Sequence, residues 1–142
     1  MIDLMEKQLG IRKISQLGGV AQKAPALTIL LVIIAFANIG LPLTNAFVGE
    51  FMMFAGLFQY NAWCASVAAI GIILAAVYTL NMIQKVFYGE TNVVTATIKD
   101  ISLNEKLALG FIIVLIFVGG IYPQPMLDLG KETVRAIVTL YK

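Results

Sequence analysis

From Pro25 the chain turns almost wholly apolar and stays so to Phe58, interrupted at Gly40-Leu41-Pro42-Leu43-Thr44-Asn45. One helix over that run would reach about 50 Å at ~1.5 Å per residue. A bilayer's hydrocarbon core is about 30 Å thick and takes roughly 20 residues to cross. The surplus coincides with the glycine–proline break, so the pattern predicts a discontinuous span over 25–58, broken at 40–45. Its first half-helix runs from Thr28 to Ile39, with Pro25 suited to a first-turn position, and Gly40 with Pro42 ends it. Thr44 or Asn45 offers an N-cap for a second half-helix from Ala46 to Phe58.

Two more apolar runs follow. Gln59-Tyr60-Asn61 is a very short turn, so the span predicted over 62–88 is an antiparallel neighbour of the first. A polar loop leads to Ser102 and Glu105, which have the spacing of a capping box, and a third span opens there over 103–122. Pro123-Gln124-Pro125 stops it. In the tail, 123–142, Met126, Leu127, Leu129, Val134, Ile137, Val138 and Tyr141 fall near one helical face, with Lys131, Glu132 and Arg135 mainly on the other. That is the pattern of an interfacial amphipathic helix. The fold class expected is all-α and transmembrane: three membrane-spanning helices, the first discontinuous, and a C-terminal amphipathic helix. Residues 1–24, mixed and polar, form a leading loop with a short helical piece.

Composition points the same way. Hydrophobic residues make up 60% of the 142 and charged residues 13%, against about 25% charged in a typical soluble domain. With mean hydropathy at +0.90, a chain of this length cannot hide its apolar surface from water, so its solvent is lipid. The net charge of +2 is spread over several loops and implies no nucleic-acid partner. A single cysteine and no histidine exclude an internal disulfide, a cysteine-held cluster and histidine ligation of haem. Lys7, Arg12, Lys13 and Lys23 precede the first span and Lys85, Lys99 and Lys106 flank the second loop, while Gln59–Asn61 carries no cation. The positive-inside rule therefore puts residues 1–24 and 89–102 on the cytoplasmic side. Tyr60, Trp63 and Tyr122 then line the outer interface, and Phe87 and Tyr88 the inner one.

One charge lies inside the first apolar run. Glu50 follows the break within the second half-helix, and a charge near the bilayer centre costs about 2.5–3.5 kcal/mol on insertion scales. An interrupted transmembrane helix with an acid just past the interruption has the form of a transporter's midplane ion site. Desolvation favours the neutral acid and the positive end of the second half-helix favours the anion. A carboxyl held between the two can load and release a proton when a nearby charge moves. Gly40, Pro42, Thr44 and Asn45 shape the break, and Thr44 and Asn45 can carry hydrogen bonds in a water-filled cavity beside it. Set against this, Glu50 could reach a wet helix end or merely join two spans, and a proline kink often only improves packing. Lys85 reads as a snorkelling interface residue, with the inner end of a proton path as its other reading.

The run Gly40-Leu41-Pro42-Leu43-Thr44-Asn45-Ala46-Phe47-Val48-Gly49-Glu50-Phe51 resembles the discontinuous helix of the subunit M family of bacterial respiratory complex I, among the antiporter-like proton-translocating subunits. Gly18-Gly19, Tyr78 with Phe87-Tyr88-Gly89, and Tyr122-Pro123-Gln124-Pro125 fall at matching places, so the resemblance covers nearly the whole chain. Related antiporter-like subunits generally carry lysine at the position of Glu50, and family members often have glycine in place of Leu43 and Asn45. The resemblance implies a place in the proton-translocating membrane arm of NADH:quinone oxidoreductase, in a bacterial inner membrane, with Glu50 as a proton relay. It implies neighbouring membrane-arm subunits as partners and no cofactor in this chain, since NADH, flavin, iron–sulfur clusters and quinone belong to other subunits. It also implies that this is the last part of a longer, fourteen-span subunit. A component of a Mrp-type cation/proton antiporter or membrane-bound hydrogenase, and a non-catalytic membrane scaffold, are the alternatives.

Overall fold

The computed structural model describes Glu6, Lys7, Leu9, Gly10, Ile14 and residues 17–140. Arg12, Lys13, Tyr141 and Lys142, which entered the charge count and the tail's apolar face above, lie outside the described residues. From residue 17 to 140 the order of α-helices is α1 (Val20–Lys23), α2 (Pro25–Asn38), α3 (Asn45–Tyr60), α4 (Ala62–Phe87), α5 (Leu103–Ile121) and α6 (Gln124–Leu140). A 3-10 turn at Thr95–Thr97 lies in the loop between α4 and α5.

The first apolar run is two helices, as its glycine–proline break requires. Pro25 stands in the first turn of α2, where its missing N–H costs nothing. With 14 and 16 residues, α2 and α3 are about 21 and 24 Å long, each short of a bilayer core of about 30 Å. By contrast α4 and α5 are each long and apolar enough to cross a membrane. Asn61 alone separates α3 from α4, and its side-chain oxygen accepts from the backbone N–H of Trp63 at 2.8 Å and Cys64 at 3.3 Å. The Ser102–Glu105 capping box forms as expected, with the Ser102 N–H 2.8 Å from a Glu105 carboxylate oxygen.

Helix α5 lies against both α2 and α3, and α4 packs on α3. The buried core gathers at one end of the bundle. Val20, Ala24 and Leu27 meet Ile83, Val86 and Phe87 of α4, with Ile98 and Ile101 of the following loop closing over them. Phe87 is thus a core residue at 2% exposure, and the inner aromatic belt reduces to Tyr88 at 66%. The leading loop and residues 89–102 touch here, where the Thr91 hydroxyl donates to the Gln22 side-chain oxygen at 3.4 Å, and Asp100 accepts from the N–H groups of Ala26 and Leu27 at the start of α2.

Elsewhere the usual inside–outside order is reversed. Only 11% of the most apolar stretch of α4 is buried within the chain, and in α5 Leu109 alone is buried. Phe51, Phe58, Ile73, Leu74, Leu107 and Phe111 are all more than half exposed. Apolar faces on that scale mark contact with lipid or a partner. Along α6 every described side chain from Gln124 to Thr139 is exposed.

Candidate functional site

The break is built by two backbone residues in the left-handed region. Gly40 has φ 71° and ends α2 in a Schellman arrangement. Its N–H donates to the carbonyl of Ala37, and that of Leu41 to Phe36, satisfying carbonyls the helix would otherwise leave bare. Leu43, at φ 78°, is the other; for a residue with a Cβ this conformation costs roughly 1–2 kcal/mol. Thr44 stands at the N-cap position of α3 but does not cap it. Its hydroxyl donates backwards to the carbonyl of Leu41 at 2.7 Å, and α3 receives no side-chain cap.

Glu50, in the second turn of α3, reaches back over this break. A Cβ built on Gly40 would overlap Oε2 of Glu50 and lie 2.9 Å from its Cδ. The carboxylate thus occupies the space that glycine alone leaves open. It is half-buried, and no hydrogen-bond or ion-pair partner meets it among the described residues. Beside it is a cleft of about 260 Å³, room for several waters at about 30 Å³ each. Asn38 and Ile39 from the end of α2, Met53 and Phe54 beside Glu50, and Ala68, Gly71, Ile72 and Ala75 of α4 form its walls. The polar members are Asn38 and Glu50; Thr44 and Asn45 are not among the lining residues. Gly71 and Ala75, small residues of the kind that let helices pack closely, here widen the cleft: nothing lies within 4 Å of a Cβ placed on Gly71.

With this geometry in view, comparison with known proteins is decisive. Residues 1–77 match the family model described as NADH:quinone oxidoreductase/Mrp antiporter, TM, which is more than half of the 142 residues. The chain belongs to this family. Over 141 residues it is 33% identical to NADH-quinone oxidoreductase subunit M of Rhodobacter capsulatus, an alignment covering 99% of this chain and 28% of that protein. Subunit M of Escherichia coli (strain K12) is 30% identical over 133 residues, 92% of this chain and 26% of the relative. Respiratory complex I from Thermus thermophilus with bound NADH contains a chain that superposes with a TM-score of 0.75 at 31% identity, over 84% of this chain and 25% of that one. The chain therefore spans about a quarter of the length of these relatives. The family is the one that the Gly40–Phe51 run resembles.

In this NADH:quinone oxidoreductase/Mrp antiporter chain, Glu50 and Gly40 come together while Lys85 does not join them. Lys85 is exposed in the last turn of α4, distant along that helix from the residues that line the cleft. Three contributors were not read from the sequence. Asn38 is one, although an amide just before the break in an apolar run is itself a signal. Gly120 is another: a Cβ there would overlap the backbone of Leu43 and Thr44, so α5 seats the break through a missing side chain. The third is Asp100, whose carboxylate stands 3.2 Å from the N–H of Ala26 and 3.1 Å from that of Leu27. It caps α2 from a loop more than seventy residues on. Ala24, which precedes α2, has no side chain able to do so, and that lack was the available clue.

The break lies beside the last turn of α5, and of the α4 residues at the cleft Ala68, Gly71 and Ile72 fall in that helix's first half, with Ala75 just past its middle. The cleft thus runs from the middle of α4 toward the Asn61 turn.

Proposed function

We propose that this chain works in the proton-translocating membrane arm of a bacterial NADH:quinone oxidoreductase, with Glu50 as a protonatable relay beside a broken helix. One observation carries the reading: a lone carboxylate, without counter-ion among the described residues, is seated over Gly40 at the edge of a cleft large enough for water. A carboxylate takes a proton on either oxygen and passes it to the next acceptor without any cofactor. Gly40 gives the carboxylate its place, and the Asn38 amide can hold a water at the same cleft. Redox chemistry, with its nicotinamide, flavin, clusters and quinone, belongs to other subunits in this reading.

In the membrane, α2 and α3 form one discontinuous span, α4 and α5 the second and third, and α6 lies in the interface with its apolar residues toward lipid. Residues 1–24 and 89–102 face the cytoplasm, and the contact between Asp100 and the start of α2 supports a common side. Neighbouring antiporter-like subunits cover apolar faces that this chain leaves open.

The test is Glu50→Gln in the assembled complex, which keeps shape and hydrogen-bonding capacity but cannot release a proton. Proton uptake in inverted vesicles should collapse while a native gel shows normal assembly. Glu50→Asp, shorter by one methylene, should retain part of the activity, and Lys85→Met should change little. Uptake at the unmodified rate in the assembled Glu50→Gln complex would leave only the scaffold reading.

A further inference from the structure

Only two of the 14 side chains of α2 can hydrogen-bond, those of Thr28 and Asn38. The Thr28 hydroxyl donates to the carbonyl of Ala24 at 2.9 Å and is accounted for. Asn38 is not. An asparagine near a helix end ordinarily serves as the left-handed cap, but Gly40 takes that conformation here. No hydrogen bond engages the Asn38 side chain among the described residues. An amide carried into an apolar span without a partner is destabilising, and the ending of the helix does not require it.

Its position suggests what the amide is for. Asn38 is exposed and lines the same cleft as Glu50; among the described residues that wall it, only these two have polar side chains. The carboxylate lies against Gly40, whose Cα is at most about 7.6 Å from that of Asn38, two residues earlier. The two groups therefore stand within reach of a bridging water, in a space with room for several. A water held there needs polar partners, and no other side chain of the cleft offers one. Other charges are remote: α2 carries none and α3 none besides Glu50, while Lys85 of α4 and Glu105 and Lys106 of α5 lie at the loop end of those helices.

We propose that Asn38 is a positioning residue for the Glu50 relay, holding the water through which the carboxyl gains and loses its proton. An amide presents two N–H donors and a carbonyl acceptor. When Glu50 is charged, the water donates to the carboxylate and accepts from the Asn38 N–H. When Glu50 is protonated, its O–H donates to the water, which donates in turn to the Asn38 carbonyl. Rotation of the amide keeps one water in place in both states, with no net proton change at Asn38. An apolar side chain of like volume can do neither.

This inference rests on the Glu50 relay reading, and the experiment separates the two. Asn38→Leu, Asn38→Ser and Glu50→Gln are made in the assembled complex, with proton uptake measured in ordinary and heavy water and thermal stability alongside. Leucine keeps the volume and loses the amide, whereas serine is smaller but keeps a donor and an acceptor. With Glu50→Gln inactive, Asn38→Leu should slow uptake about fivefold, the rate equivalent of one hydrogen bond of about 1 kcal/mol. Its slowing in heavy water should also exceed that of the unmodified complex, because transfer at Glu50 has become the slow step. Asn38→Ser should stay near the unmodified rate. Full-rate uptake in Asn38→Leu overturns the proposal and leaves the relay standing. So does a loss of rate that follows thermal stability across the variants with the heavy-water effect unchanged, since that is a packing role. Should Asn38→Leu fail to assemble, Asn38→Ala replaces it: alanine slower than serine supports the hydrogen-bonding role, and the two equally slow refutes it. If Glu50→Gln itself pumps normally, the relay reading falls and takes this inference with it.

Discussion

The two half-helices either side of the break begin under different conditions. Helix α2 starts at the loop end of the bundle, where Asp100 receives the N–H groups of Ala26 and Leu27 and Lys106 stands 3.7 Å from the same carboxylate. Helix α3 starts inside the apolar run without a side-chain cap, because the Thr44 hydroxyl is spent on Leu41. The first start is fixed by charge from a distant loop. The second is fixed by close contact, with α5 pressing a glycine against the turn. Hydrogen bonds to a carboxylate hold the first start, and close backbone packing holds the second.

The sharpest way to break this contrast is Gly120→Val. A side chain there meets the backbone of Leu43 and Thr44, which cannot rotate aside, so the turn must move. Overpacking of this kind costs about 1–3 kcal/mol, occasionally more. The expected result is lower thermal stability of the assembled complex together with slower proton uptake, since Glu50 leaves α3 just beyond the shifted turn. Unchanged stability would show that α5 does not seat the break.

Asp100→Ala should affect the other start and spare the break. Loss of a cap costs about 0.5–2 kcal/mol, and the effect should depend on pH. Burial works against the charged form of Asp100, but the N–H groups of Ile101, Leu27 and Ala26 and the Lys106 ammonium outweigh it, holding the carboxyl below its ordinary 3.8. A carboxyl lowered in the folded state adds stability above pH 3.8 that is lost as pH falls through the lowered value. The gap in stability between the unmodified protein and Asp100→Ala should be full at neutral pH and narrow below about pH 4. A gap that grows on acidification contradicts this account.

The smallest effect expected is from Leu43→Gly. Glycine relieves a left-handed strain of roughly 1–2 kcal/mol but gives back about 0.5–1 in chain entropy. The Leu43 side chain is 61% exposed, so little burial is lost. A gain of no more than about 1.5 kcal/mol in thermal stability is expected; a loss would mean that the leucine side chain is packed against another subunit.

Much of this was legible in the sequence because local rules decided it. Pro25 at a first turn, Gly40 past a helix end and Ser102 with Glu105 at a start each act within a few residues, and each formed as its spacing predicted. Glu50 stood out because charge is costly in an apolar run, although the cleft beside it is lined from three helices and no spacing rule reveals that. The reach of Asp100 to α2, the match of Gly120 to the turn and the burial of Phe87 depend on residues distant in sequence. Of the two N-cap candidates, Thr44 and Asn45, Thr44 takes the position, but a hydroxyl there can turn either way and the turn's geometry selects Leu41.

The seat of Glu50 part-way along the bundle has an electrical consequence. Carrying one elementary charge across a membrane costs about 2.3 kcal/mol per 100 mV, distributed over the depth crossed. In the assembly proposed above, a proton arriving from the side of the 89–102 loop does part of that work before it reaches Glu50 and the rest on its departure past the Asn61 turn. The acid then stands part-way up the voltage slope, so a rise in membrane potential opposes both its loading and its release.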